Sequence, residues 1–243
     1  ESYELRATRA TIRRPYCRRQ GADAVLPVQF RRPLKTRGCP RPLALVALAL
    51  IVPAAAAAPV ARPPIVIANY ADDGSPGTLR HAIDEVAQPG DTIKFANAVR
   101  LELKTPLVVP ESLSGLTIDG ATPSGGRVTL FGARFRSASA TLEIDADSVT
   151  LTNLTLTNLP VWFRDRVVGD DVVGPAGARV IGNELFFEHS YPARAKLQLS
   201  ATRGARVEGN RLARGGSGIL VDRTRNTTIV GNTFESGGVT DQD

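Results

Sequence analysis

A repeat in the second half of the sequence restricts the fold more than any other feature. Two successive segments match at six positions, and each residue of the second segment follows its counterpart by 22 residues. The matched residues are Leu197, Leu199, Val207, Gly209, Asn210 and Leu212 in the first segment and Ile219, Val221, Ile229, Gly231, Asn232 and Phe234 in the second. An earlier copy, 27 residues before the first segment, contains Val180, Gly182, Asn183 and Leu185, and a weaker copy contains Leu151 and Leu156. Self-similarity at a period of 20 to 50 residues indicates a solenoid or a propeller.

A repeat unit of 22 residues is too short to bury its own apolar face, so neighbouring units must stack. Stacking makes each strand one rung of a long parallel sheet, with Leu, Ile, Val and Phe side chains inside. Gly-Asn pairs suit the bends between strands, because glycine adopts positive φ without steric cost and asparagine does so more readily than most residues. We therefore predict structural turns, with Asn side chains that can hydrogen-bond along the stack, at Gly182, Asn183, Gly209, Asn210, Gly231 and Asn232. The alternative is an antiparallel sandwich with Gly-Asn hairpin turns, although the single short apolar segment after each pair does not give matched hairpin arms.

One short helix is predicted between a first strand, Ile65–Ile67, and the remaining strands. An apolar stripe with the spacing i, i+3, i+4 and i+7 predicts an amphipathic helix, and it consists of Leu79, Ala82, Ile83 and Val86. Pro89 and Gly90 end this helix. Beyond Asp91 the apolar period changes to two, which predicts strands, and the absence of another useful helical stripe argues against a doubly wound α/β sheet. The predicted fold class is therefore all-β, a parallel β-helix with an N-terminal amphipathic capping helix.

The N-terminal quarter differs in composition from the rest of the chain. Residues 1–57 carry 11 Lys and Arg against three acidic residues, and the remainder carries 19 against 21, so the net charges are +8 and −2. The basic character therefore belongs to the leader, and we predict no nucleic-acid partner. Both cysteines, Cys17 and Cys39, also lie in the leader, so the remaining chain cannot contain a disulfide or a thiolate metal site.

The leader has the order of a secretory signal peptide. A basic stretch, Lys35–Arg41, precedes an apolar run of ten residues, Leu43–Val52, and the small residues Pro53–Ala58. Because a membrane-spanning helix needs about 20 apolar residues, we expect cleavage near Ala57 and no transmembrane helix in the mature chain. The predicted location is extracellular or at the cell surface. The predicted organisation is upstream sequence that is non-native or disordered (1–36), a signal peptide (37–58) and the N-terminal portion of a β-helix domain that is truncated at its C-terminus (59–243).

Three motifs carry a resemblance to a known group of proteins. They read DGSPGTLRHAI at 73–83, PGDTIKF at 89–95 and LTIDG at 116–120. These motifs resemble the N-terminal cap of bacterial right-handed parallel β-helix repeat proteins of the pectin-lyase fold, which include surface and autotransporter-like proteins and, more distantly, pectate lyases. The resemblance covers most of residues 65–236 and implies that the helix at 78–86 plugs the open end of the core. Such repeats occur in lyases, hydrolases, epimerases and adhesins, so the resemblance does not imply one activity.

A polysaccharide lyase of this fold would need acidic residues that bind calcium and an Arg or Lys base. The best candidates are Asp170, Asp171 and Arg166, with Asp165 and Arg164 beside them in a less repetitive segment. Calcium is expected only under this alternative, and we predict no other cofactor or metal. A solvated polar loop is the other interpretation of the segment.

Other residues with chemical potential give weaker patterns. A glycoside hydrolase would use two or three carboxylates on one face, for which the sequence offers Asp145, Glu184 and Asp222, but the position 22 residues before Asp222 is Ser200, so no acidic row is maintained. We expect His81 on the capping helix to face solvent and place His189 in a loop. Two sequons that match glycosylation acceptors begin at Asn153 and Asn226, and they carry little weight in a chain of bacterial character.

Trp162, the sole tryptophan, can stack on a sugar ring or fill a gap in the core. Long sheets with exposed polar rows suit extended polysaccharides or partner surfaces. We therefore predict an exported β-helix repeat protein with a structural or carbohydrate- or partner-binding role at the cell surface or outside the cell. The alternative is a polysaccharide-degrading enzyme, a lyase before a glycoside hydrolase.

Overall fold

The computed structural model describes residues 62–132, 140–188, 195–235 and 238–242. The helical elements in these ranges are a one-turn α-helix, α1 (Leu79–His81), a π-helical turn that continues it (Ala82–Val86) and a 3-10 turn (Glu111–Leu113). In chain order the strands are β1 (Ile65–Ile67), β2 (Thr92–Phe95), β3 (Arg100–Leu103), β4 (Leu107–Val109), β5 (Thr117–Asp119), β6 (Thr129–Gly132), β7 (Leu142–Ile144), β8 (Thr150–Thr152), β9 (Thr155–Thr157), β10 (Val161–Phe163), β11 (Arg166–Val168), β12 (Asp171–Val173), β13 (Arg179–Ile181), β14 (Glu184–Phe186), β15 (Ala195–Ser200), β16 (Arg206–Glu208), β17 (Arg211–Ala213), β18 (Ser217–Asp222), β19 (Thr228–Val230), β20 (Thr233–Phe234) and β21 (Val239–Gln242).

These strands form three parallel sheets and one hairpin. Sheet A has the order β1-β2-β5-β8-β13-β16-β19, sheet B the order β3-β6-β9-β14-β17-β20, and sheet C the order β4-β7-β10-β15-β18-β21. Each coil passes through sheets A, B and C in turn, so the neighbours within a sheet come from successive coils. Every strand pair in the three sheets is parallel, and only β11 and β12 pair antiparallel. The predicted parallel β-helix is confirmed.

The strand register reproduces the repeat of the sequence. Val207 pairs with Ile229 in sheet A, Leu212 with Phe234 in sheet B, and Leu197 with Ile219 in sheet C. Because side chains alternate along a strand, a slip of one residue would turn each apolar row outward. The repeat therefore fixes which residues of each coil enter the core.

The core follows a simple rule that differs between the sheets. In sheets A and B the middle residue of a typical three-residue strand is buried, whereas in β4, β7 and β10 of sheet C the two outer residues are buried and the middle one is not. Most buried apolar residues of all three sheets belong to one continuous hydrophobic cluster. The middle residues of sheet C consequently project from the outer surface.

The predicted helix is present and packs on the core. Leu79, Ala82 and Ile83 are buried in the hydrophobic cluster, and Thr78 begins the helix, since its hydroxyl accepts a hydrogen bond from the backbone N–H of His81 at 3.2 Å. The prediction is wrong for Val86, which is 42% exposed. The N–H of residue 87 bonds to the carbonyl of residue 82, so the last turn has five-residue π spacing. This wider turn rotates Val86 away from the stripe.

Several predictions fall on residues outside the described ranges. These predictions concern the upstream segment, the signal peptide, both cysteines and His189. Within the described ranges, no helix combines the length and the apolar character that crossing a membrane would require.

Candidate functional site

The Gly-Asn positions form a hydrogen-bonded column at the bend between sheets A and B. Gly182, Gly209 and Gly231 have φ angles of 65°, 62° and 62°, which only glycine adopts without strain. The Asn183 side-chain Nδ2 donates to Asn210 Oδ1 at 3.1 Å, and Asn210 Nδ2 donates to the Oδ1 of Asn232 at 2.9 Å. Asn183 and Asn210 are 1% and 2% exposed, so these amides serve the structure and are not available to a ligand.

Trp162 lies on the outer face of sheet C. It is the middle residue of β10, flanked by the buried side chains of Val161 and Phe163. Its own side chain is half-buried and is not part of the hydrophobic core cluster. The indole therefore does not fill a gap in the core, and part of its ring faces solvent.

Polar groups fix the indole and surround it. Trp162 Nε1 donates to Ser200 Oγ at 3.3 Å, and Gln198 Nε2 donates to the same oxygen at 3.1 Å. Glu143 and Gln198 are the register partners of Trp162 on the two neighbouring strands. We call Trp162, Glu143, Gln198 and Ser200 the Trp162 platform. It combines the partly exposed face of the indole with the amide of Gln198 and the carboxylate of Glu143, while the buried Ser200 anchors the indole.

An ion-pair network borders the platform. Arg164 Nε donates to Asp145 Oδ1 at 2.7 Å, and the guanidinium also pairs with Asp145 Oδ2 and Glu143 Oε2. The hydrogen bond with Asp145 raises the pKa of Arg164, and the hydroxyl of Thr141 donates to Glu143 Oε1 at 2.7 Å. The network holds both carboxylates in place and leaves neither of them free of a cationic partner.

The lyase candidates lie on the hairpin β11–β12. Asp170 is at its turn, and Asp171 is exposed on β12. Arg166, at the base of the hairpin, makes an ion pair of 3.1 Å with Glu111 and donates to the carbonyl of Asp145 at 3.2 Å. Residues 62–132, 140–188, 195–235 and 238–242 contain no group of three or more His, Cys, Asp or Glu side chains arranged to hold a metal ion. Among the residues that the structure describes, Arg166 forms its ion pair with Glu111, and neither Asp170 nor Asp171 pairs with it.

The three carboxylates considered for a glycoside hydrolase lie far from one another. Glu184 lies in sheet B and pairs with Arg211 at 3.8 Å. Asp145 and Asp222 both follow inward residues of sheet C, but three rungs separate them, which corresponds to about 14 Å. This separation exceeds the roughly 6.5–9.5 Å between the carboxyl groups of an inverting glycosidase. His81, on the helix, is half-buried.

A cleft of about 320 Å³ lies between the hairpin and the bends that connect sheet C to sheet A. Its lining residues are Asp171, Val172, Val173, Ala201, Arg203, Arg223 and Arg225. Arg223 pairs with Asp165 at 2.8 Å and Asp222 at 2.9 Å, and its hydrogen bond with Asp222 raises its pKa. Ala201 directly follows Ser200, so the cleft continues from the Trp162 platform.

The repeat contained a signal for the residues that the sequence analysis missed. Arg203 and Arg225 are 22 residues apart, and Arg179 and Arg206 are 27 apart, which are the two offsets of the repeat. Gln198 and Ser200 lie within the matched segment around Leu197 and Leu199. An alignment that followed polar as well as apolar residues would have found them.

Comparison with known proteins gave no family assignment. No protein-family model matches the chain, and no curated protein matches it.

Proposed function

We propose that this chain is an exported β-helix repeat protein that binds carbohydrate through the Trp162 platform, at the cell surface or outside the cell. The outward position of the sole tryptophan carries the proposal. A pyranose ring has an apolar C–H face and a rim of hydroxyl groups. The platform offers an aromatic surface for the first and polar groups for the second.

The rigidity of the platform supports a binding role. Trp162 sits on a strand between two buried residues, and Ser200 anchors its Nε1. A side chain held in this way loses little conformational freedom when a ligand stacks on it, so less binding energy is spent on ordering.

The leader supports export. Its basic, apolar and small-residue stretches follow each other in the order of a signal peptide, and the resemblance of the cap motifs to surface β-helix proteins agrees with an extracellular location. A structural role can coexist with binding, because stacked coils present the same surface at regular intervals.

Replacing Trp162 with alanine tests the proposal. Since Trp162 is the sole tryptophan, its fluorescence reports on the platform during titration with a panel of neutral and acidic polysaccharides. We expect at least one polysaccharide to change the emission. We expect Trp162→Ala to weaken its binding, measured by isothermal titration calorimetry, by about tenfold to a hundredfold. Trp162→Phe should retain part of the affinity.

Phe186→Ala is the matched control, because Phe186 is a half-buried aromatic residue on the outer face of sheet B. This variant should bind as tightly as the unmodified protein. The proposal is wrong if the folded protein binds no member of the panel or if Trp162→Ala binds unchanged. A rise in ultraviolet absorbance from unsaturated uronides during the titration would instead reveal a lyase.

A further inference from the structure

Arginine side chains oppose one another across successive coils near the cleft. The register of sheet A pairs Arg179 with Arg206, and a parallel bridge at the preceding bend pairs Arg203 with Arg225. All four are exposed. Neighbouring strands are about 4.8 Å apart, and like charges directly opposite each other destabilise a sheet. The fold therefore holds four cations where they repel one another.

Among the residues that the structure describes, Arg206 is the one of these four cations that forms an ion pair, and its partner is Glu208. Arg206 Nε donates to Glu208 Oε2 at 2.6 Å, and this hydrogen bond raises the pKa of Arg206 and lowers the pKa of Glu208. In the described ranges, Arg179, Arg203 and Arg225 make no ion pair. Because Glu208 also attracts Arg179 electrostatically, the cations without a described acidic partner are Arg203 and Arg225, on two successive coils.

Arg203 and Arg225 also line the cleft beside the hairpin. The two arginines form one wall, and Val172 and Val173 of β12 lie on the hairpin side. Asp171 is the one lining carboxylate, and Arg223 is already paired with Asp165 and Asp222. The two free guanidinium groups therefore determine the charge that the cleft offers to a ligand.

We infer that this cleft binds the anionic groups of an acidic polysaccharide whose sugar rings stack on Trp162. The inference rests on the proposed function, because the platform supplies the sugar contact and the cleft supplies the charge contact. A carboxylate or sulfate group between Arg203 and Arg225 relieves their mutual repulsion. Each guanidinium can also form two parallel hydrogen bonds with such a group.

The path between the two sites favours a polysaccharide over other polyanions. Ser200 holds the indole, and the next residue, Ala201, lines the cleft. Asp165, three residues after Trp162, pairs with the cleft residue Arg223, so the cleft lies at the end of sheet C towards which the strand of Trp162 runs. Among the residues that the structure describes, Trp162 is the aromatic residue argued to lie near the cleft, whereas proteins that bind single-stranded nucleic acids use several aromatic residues on which successive bases stack.

The experiment compares four probes at low and at high salt. They are polygalacturonate, which carries carboxylates, dextran sulfate, which carries sulfates, neutral dextran, and a single-stranded oligodeoxynucleotide. The double variant Arg203→Gln/Arg225→Gln removes the free cations of the cleft. The control Arg100→Gln/Arg211→Gln removes the same charge from sheet B, where Arg100 lies over the Phe131 ring and Arg211 pairs with Glu235.

We expect an acidic polysaccharide to bind more tightly than dextran, with an affinity that falls as salt screens the charges. The double variant should lose about tenfold or more of that affinity, and the control should stay close to the unmodified protein. Whichever of polygalacturonate and dextran sulfate binds identifies the anionic group. The thermal midpoint of the double variant should not fall, because the substitution removes a repulsion.

Three results would overturn the inference while the proposed function stands. The first is that dextran binds as tightly as the acidic polysaccharides in a Trp162-dependent manner. The second is that the double variant keeps the full preference for acidic polysaccharides. The third is that the oligodeoxynucleotide binds as tightly as the acidic polysaccharides. Failure of all polysaccharides to bind, or binding unaffected by Trp162→Ala, would overturn the proposed function as well.

Discussion

Asn210 is the central amide of the column at the bend between sheets A and B. Its Nδ2 donates to the carbonyl of Val180 at 2.8 Å and to Asn232 Oδ1 at 2.9 Å. Its Oδ1 accepts hydrogen bonds from the backbone N–H and from the side chain of Asn183. One buried side chain therefore satisfies polar groups on three coils, and no water can replace it without opening the stack.

Asn210→Ala should lower the free energy of unfolding by about 2–4 kcal/mol, because it leaves buried donors and acceptors without partners. Asn153→Gly is the control, since Asn153 is only half-buried, its φ of 55° is one that glycine tolerates, and its side chain makes one described hydrogen bond, with Asp119 at 2.9 Å. This variant should lower the free energy of unfolding by about 1 kcal/mol. Urea unfolding followed by circular dichroism measures both changes, and equal losses would contradict a special role of the column.

Lys196 presents a second feature at the residue scale. Its side chain is fully buried, its ammonium group donates to the carbonyl of Gly215, and it lies 5.6 Å from the centre of the Phe187 ring. In the described ranges no carboxylate pairs with it. Burial lowers the pKa of Lys196, because a charge in an apolar environment costs free energy.

The lowered pKa predicts how stability depends on pH. Between the pKa of folded Lys196 and the unfolded value of about 10.4, the unfolded chain binds more protons, so the free energy of unfolding rises with pH. At lower pH the penalty for the buried charge is fully present. Lys196→Met should therefore raise stability at neutral pH and reduce the alkaline increase. Lys94→Met, at a position whose side chain is 47% exposed, should keep the alkaline increase in the free energy of unfolding. Denaturant unfolding at several pH values distinguishes the two variants.

The helix at the start of the β-helix shows how element geometry differs from sequence period. A regular α-helix would place Leu79, Ala82, Ile83 and Val86 on one face, and three of them do contact the core. The π-helical turn then changes the angle between successive side chains. Period alone cannot predict this change, because the closure of the last turn depends on how the chain enters β2.

A pair of substitutions tests this geometry. Ile83→Asp should lower the free energy of unfolding by about 3 kcal/mol or more, because Ile83 is 2% exposed and a charge there would be buried without a partner. Val86→Asp should change it by no more than about 0.5 kcal/mol, since Val86 is 42% exposed. Thermal or urea unfolding provides the comparison. Similar losses in both variants would show that Val86 belongs to the core stripe.

The hairpin β11–β12 shows why the candidate site was harder to predict than the fold. Asp170, Asp171 and Arg166 are close in sequence, which suggested a common site. Antiparallel pairing places Arg166 opposite Val173 at the base and Asp171 opposite Val168 near the turn, and the described ion pair of Arg166 is with Glu111 on another coil. Sequence proximity alone therefore does not identify the partner of a hairpin side chain, because register and the neighbouring coils decide which residues meet.

For the whole molecule, the sequence predicted the stacked coils because the core imposes one apolar row on every coil. Leu151, Val180, Val207 and Ile229 occupy one such row of sheet A. The contacts of the site depend on bends whose lengths vary, since successive coils along the Asn column are offset by 29, 27 and 22 residues. Apolar periodicity carries no information about these lengths. The apolar pattern alone therefore did not reveal the opposition of Arg203 and Arg225, although these two arginines keep the 22-residue offset of the repeat.

The hairpin has a further consequence for how such a molecule can change. The chain leaves the stack after β10 and returns at β13, yet Val161 still pairs with Leu197 and Val180 still pairs with Leu151. The entropic cost of closing a loop inserted at this bend rises by only about 0.6 kcal/mol for each doubling of its length. The insertion leaves the register of the core strands intact. The hairpin side of the cleft can therefore change in length and sequence without altering the stacked coils. New specificities can arise there by insertion and deletion, while the scaffold keeps its packing.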